Sequence, residues 1–135
     1  MAAITEDYVS FETAKRLKEK GFDEECSCFY NNIEYGTAGL EVDGQLYYKN
    51  SALDDEEYAA PTLQMAMKWL REVHCIFIEP TVGETNGKTW YDFDIIPINK
   101  REIVWNHYDS LPFVECNSYE EACEAAIKYC LENLI

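Results

Sequence analysis

Thr89-Trp90-Tyr91-Asp92-Phe93-Asp94-Ile95-Ile96 alternates side chains with the period of two that marks a strand between a dry and a wet face. Read this way, Tyr91, Phe93 and Ile95 point into a core, and Trp90, Asp92 and Asp94 point to water. The segments on either side repeat the pattern. Over 75–79, Ile76 and Ile78 join the dry face while Phe77 and Glu79 join the wet one. Over 102–108, Ile103 and Trp105 are dry while Glu102 and Asn106 are wet. Asn86-Gly87 lies in the loop between the first two segments and suits a hairpin, because both residues tolerate a positive φ. Three antiparallel strands over 75–79, 89–96 and 102–108 are therefore expected to form a meander. Upstream, Asp43-Gly44 is expected to turn an additional hairpin joining 40–42 to 46–48.

Working outward from the strands, three helices have readable starts. Ser10 can accept a bond from the free amides of a first turn, and Gly21 supplies the left-handed exit, with Phe22 placed to fold back over the last turn. Phe11, Ala14 and Leu17 form the buried stripe of that helix. Pro61-Thr62 opens a second helix, in which Leu63, Ala66, Met67, Leu70 and Val73 recur at helical spacing and Met65 and Trp69 occupy an adjoining flank. Ser118 with Glu121 has the capping-box spacing. Tyr119, Cys123, Ala126, Ile127, Cys130, Leu131 and Leu134 then form an apolar stripe. The acidic run Asp54-Asp55-Glu56-Glu57 reads as an exposed linker. These elements imply an α+β fold: an antiparallel sheet, made of a three-stranded meander plus an additional hairpin, with three helices packed mainly on one face. At 135 residues the whole chain, 1–135, is expected to be one domain.

The formal charge of -15 repels phosphate backbones and favours basic partners, so nucleic acid is not an expected partner. Lys15, Arg16, Lys18 and Lys20 are read as the solvated face of the first helix. No apolar run reaches membrane-spanning length, and the first residues lack a basic region followed by an apolar core. A cytoplasmic protein is expected, with Cys26, Cys28, Cys75, Cys116, Cys123 and Cys130 reduced and mostly serving as small core residues.

Gly83-Glu84-Thr85-Asn86-Gly87-Lys88-Thr89 resembles a phosphate-binding loop but has one residue too few between its glycines and leads into a strand instead of a helix. Cys26 and Cys28 lack the two- to four-residue gap of structural zinc pairs. The remaining cysteines with His74 or His107 make no convincing nucleophile and base, so neither metal nor cofactor nor catalytic residues are expected. One constellation stands out. Asp92 and Asp94 share a strand face, Glu79 and Glu102 are available from the neighbouring strands, and Trp90 and Phe77 interleave with them. Such an acidic and aromatic strip suits a basic or amide-rich protein surface better than a reaction centre.

Tyr8-Val9-Ser10-Phe11-Glu12-Thr13-Ala14, the run from Ala60-Pro61-Thr62 to Leu70-Arg71-Glu72, and the closing Ser118-Tyr119-Glu120-Glu121-Ala122-Cys123 through Leu131 resemble a family of small uncharacterised proteins from bacteriophages and mobile elements of gut anaerobic bacteria. The resemblance covers mainly the three helices and implies a shared scaffold without a catalytic motif. The leading expectation is a non-enzymatic accessory protein that binds another protein through the acidic and aromatic strand face. The alternative is a binder of a nucleotide or metabolite, with Tyr47, Tyr48, Trp69 or Trp90 stacking on it. The third is a small metal-dependent hydrolase using Asp92 and Asp94. The Met65 and Trp69 flank also suggests a homodimer.

Overall fold

The computed structural model describes residues 3–33, 37–42, 48–99 and 115–135. They confirm an α+β architecture with three helices and antiparallel sheets. The chain gathers into two compact units, Met1–Met65 and Ala66–Ile135.

In the first unit, Ser10 caps α1 (Phe11–Glu19) by accepting a hydrogen bond from the Thr13 amide at 3.3 Å. The helix ends as its sequence requires. Gly21 takes φ of 91°, its amide donates to Lys18 O, and the Phe22 amide donates to Leu17 O, which folds the Phe22 ring into the interior. Three strands follow: β1 (Cys28–Ile33), β2 (Thr37–Val42) and, after a short 3-10 turn at Asn50–Ala52, β3 (Glu57–Ala59). They form an antiparallel sheet in the order β2-β1-β3. Tyr30 and Tyr58 face each other across β1 and β3, and the Phe11 ring meets both edge-on at 5.8 and 5.5 Å, locking α1 to this sheet.

The second unit is built on a long hairpin. β4 (Ile76–Thr85) and β5 (Lys88–Pro97) pair in register from Ile76 with Pro97 to Thr85 with Lys88. Asn86 and Gly87 close it with φ of 52° and 77°, the two successive positive values of the tight turn that suits twisted strands. Ile76, Ile78, Phe93 and Ile95 fill its dry face, and α3 (Tyr119–Asn133) packs on both strands with Cys123, Ala126, Ile127, Cys130 and Leu131 buried. α2 (Leu63–His74) is capped by Thr62, whose hydroxyl accepts from the Met65 amide at 3.1 Å.

Several expectations require correction. The described strands form a three-stranded sheet in one unit and a two-stranded ladder in the other, not one meander plus a hairpin. The predicted strand over 102–108 and the Asp43-Gly44 turn lie outside the described residues. Upstream, 40–42 pairs with β1, and Tyr48 bridges to Cys26. β4 runs six residues beyond its predicted end at 79, through Pro80. Part of the supposed acidic linker is β3, a strand too short to show a period. Along α2 the expected stripe of Leu63, Ala66, Met67 and Leu70 is buried, but Trp69 from the adjoining flank is buried with it and Val73 is 56% exposed. At α3, Ser118 accepts from the Glu121 amide, but the Glu121 carboxylate accepts from Asn117 N–H, one residue before the amide a capping box would use. Among the described residues, no helix is long and apolar enough to cross a membrane.

Candidate functional site

The strand strip is set by the β4–β5 ladder. Directly opposed residues of an antiparallel pair share a face, so the register joins Phe77 with Ile96, Glu79 with Asp94, Thr81 with Asp92 and Gly83 with Trp90 on one side of the hairpin. Phe77, Glu79, Trp90, Asp92 and Asp94 therefore fall on one face, as alternation predicts. Glu102 lies outside the described residues.

Their exposure differs along that face. Phe77 is 38% exposed, Glu79 is exposed, and Asp94, Ile96 and Trp90 are half-buried. Asp92 is fully buried, which overturns its expected place in water. The chain at Cys116 runs beside β5, exchanging backbone hydrogen bonds with Tyr91 at 2.9 and 2.8 Å, next to Asp92. A carboxylate oxygen of Asp92 accepts from the Phe93 amide at 2.8 Å. Burial, the Glu121 carboxylate and the Asp92 carboxylate together push the Cys116 thiol up to about 11, so it stays protonated near neutrality. Opposite Asp92, the Thr81 hydroxyl oxygen is buried without a hydrogen-bond partner among the described residues. Strand periodicity assigns faces, but it carries no information about how deeply each position on a face is buried.

Trp90 has a structural task that its sequence neighbours conceal. Its indole lies on Gly83, where a Cβ would overlap the six-membered ring, and its Nε1–H donates to Thr85 Oγ1 at 2.9 Å. The ring thus covers the gap a glycine leaves in a strand. The hairpin also disposes of the phosphate-loop resemblance: Gly83–Thr85 belongs to β4, Asn86-Gly87 is the turn, and Lys88 starts β5.

The described residues of the first unit form clefts of two kinds. One, of about 770 Å³, is open and lined by Asn31, Leu53, Asp54, Asp55, Glu56 and Glu57. Beside it, Lys18 is half-buried and held in place as well as solvated. Its Nζ donates to the carbonyls of Asp54 and Glu57, both at 2.8 Å, and sits 5.2 Å from the centre of the Tyr58 ring. The other cleft, of about 130 Å³, is lined by Tyr8, Glu25, Cys26, Ser27, Ala60, Pro61, Thr62 and Met65. Cys26 and Cys28 are both buried, and burial first, then the charges of Cys28 and Glu24, pushes the Cys26 thiol up to about 12. No group of three or more His, Cys, Asp or Glu side chains able to hold a metal ion occurs among the described residues. Of the proposed stacking residues, Trp69 is buried with its ring against His74, Tyr48 packs on Phe29 at 4.7 Å, and Tyr47 lies outside the described residues.

Compared with known protein families, with characterised proteins and with solved structures, the chain matches none of them.

Proposed function

We propose that the protein is a non-enzymatic accessory protein, of the kind carried by phages and mobile elements, that binds a basic or amide-rich protein surface through the β4–β5 face. The observation that carries this reading is the cross-strand quartet Phe77, Ile96, Glu79 and Asp94, an apolar pair adjoining two carboxylates, with Phe77 and Glu79 open to solvent. Aromatic and aliphatic carbon beside carboxylates fits a partner that presents Lys or Arg with their methylene stems. The formal charge of -15 adds long-range attraction to the same partner and repels nucleic acid. Asp92 belongs to the support beneath this surface and makes no direct contact in the proposal.

The nucleotide-binding alternative finds less support. The larger cleft carries four acidic side chains toward any phosphate, and the smaller one is below the ~300 Å³ at which ligand pockets usually begin. The hydrolase reading needs Asp92 within reach of a substrate, and Asp92 is enclosed.

The test has two stages. A partner is recovered from host lysate at low salt, and its affinity is then measured by calorimetry for the native chain and for Phe77→Ala and Glu79→Lys/Asp94→Lys. Each variant is expected to weaken binding by about tenfold or more, or ~1.4 kcal/mol. The native affinity should fall as salt rises. Unchanged affinity in both variants would remove the face from consideration.

A further inference from the structure

The small cleft of the first unit is walled by three chain segments that backbone hydrogen bonds hold in place. Val9 N–H donates to Pro61 O at 3.0 Å and Leu63 N–H to Asp7 O at 2.9 Å, which fixes Tyr8 beside Thr62. Cys26 exchanges hydrogen bonds with Tyr48 at 3.0 and 3.1 Å, and Ala60 N–H donates to Cys28 O at 2.9 Å, which ties the stretch 26–28 to Ala60. Buried Cys26, Ala60 and Pro61 give the cleft an apolar wall, and Met65, 40% exposed, borders it on the solvent side. Two polar groups of the lining are already engaged within the chain. Cys26 Sγ donates to Glu24 O at 3.5 Å, and Thr62 Oγ1 accepts from Met65 N–H at 3.1 Å. We propose that this cleft is a docking pocket for one aliphatic side chain, a leucine, carried on a Lys- or Arg-rich segment of a partner protein.

Size and charge together choose the occupant. The cleft holds about 130 Å³. An apolar cavity of ~150 Å³ takes up one benzene-sized group, so this one suits a single aliphatic side chain. The Met65 thioether on its solvent side adapts to the shape of what it covers. Around that apolar wall the charge has one sign. Glu25 itself lines the cleft, Glu24 precedes it, and Glu6 and Asp7 lead into Tyr8; all four are exposed. No Lys or Arg occurs in 3–9, 23–28 or 59–65. An apolar anchor between basic residues meets both features, since the anchor fills the pocket and its neighbours reach the carboxylates. Because the three walls are pinned by backbone hydrogen bonds, the pocket exists before its occupant arrives and binding spends little on ordering it. The pocket shares no residue with the β4–β5 face.

The probe is the peptide acetyl-Lys-Lys-Leu-Lys-Lys-amide, titrated into the full chain at ~0.15 M salt, where attraction beyond about 8 Å is largely screened. With the methionine methyls labelled for NMR, the Met65 signal is expected to move while that of buried Met67 stays in place. The same peptide with alanine in place of leucine should bind about tenfold more weakly. Glu25→Lys should weaken the leucine peptide by about tenfold as well, and because Glu25 is exposed this variant keeps the fold. Glu79→Lys/Asp94→Lys removes more negative charge from the β4–β5 face and should change the affinity by less than about threefold, so the outcome here is separate from that of the β4–β5 proposal. Equal affinity for the leucine and alanine peptides would mean attraction by net charge only and would overturn the pocket. An unmoved Met65 methyl, or a greater loss in Glu79→Lys/Asp94→Lys than in Glu25→Lys, would do the same.

Discussion

Asn50 satisfies two backbone groups that no regular element reaches. Its Nδ2 donates to Phe22 O at 2.7 Å and its Oδ1 accepts from Ala59 N at 2.9 Å, joining the end of α1 to β3 from a buried position. Asn50→Ala leaves a buried carbonyl and a buried amide unpaired and is expected to cost about 2–4 kcal/mol. Urea denaturation would show this as a lower midpoint at unchanged slope, and a loss under ~0.5 kcal/mol would mean that water replaces the side chain. Neither Asn50 nor Lys18 could be singled out in the sequence. Both act through carbonyls and amides distant along the chain, and composition marks them only as polar surface residues. Ser10, Gly21 and Phe22 were legible because their partners lie within six residues. Asp92 falls between these cases. Its face follows from its own strand, whereas its full burial does not follow from alternation.

At the scale of elements, the β4–β5 hairpin shows what a local signal can and cannot convey. Asn86-Gly87 announced the turn, and alternation identified the dry face from Ile76, Ile78, Phe93 and Ile95. The length of β4 was hidden by Pro80, which reads as a strand stop yet is tolerated where its missing donor faces away from the partner strand. β3 was hidden by its brevity, and the β1–β2 pairing by a competing Asp-Gly turn signal downstream. In α2, Val73 and Trp69 both fit a helical stripe, and periodicity alone could not choose the buried one. The Trp90 ring seated on Gly83 makes its own prediction. Gly83→Ala is expected to destabilise the protein by about 1–3 kcal/mol through overpacking. In a Trp90→Ala background the same change should cost almost nothing, and a double-mutant cycle with no coupling would show that the two positions do not touch.

Across the whole molecule, buried thiols impose a common sensitivity to alkali. Cys26 and Cys130 are pushed up to about 12 and Cys116 to about 11, in each case chiefly by burial, from an ordinary value of 9.0. Folding therefore favours the protonated form. The stability these thiols contribute is fully present below pH 9.0, the value expected of the unfolded chain, and is lost as pH rises toward the folded values. The urea midpoint should accordingly fall steadily above pH 9.0, and a midpoint that holds constant up to about pH 11 would contradict the burial of these groups. The two-residue turn between β4 and β5 has a further consequence, for the order of events during folding. It brings ten residue pairs together by zipping outward from neighbouring positions, so this ladder closes without first paying for a long chain loop. Hairpins of this kind form in about 1–10 μs, which makes this one the natural early template on which the later-arriving α3 can settle.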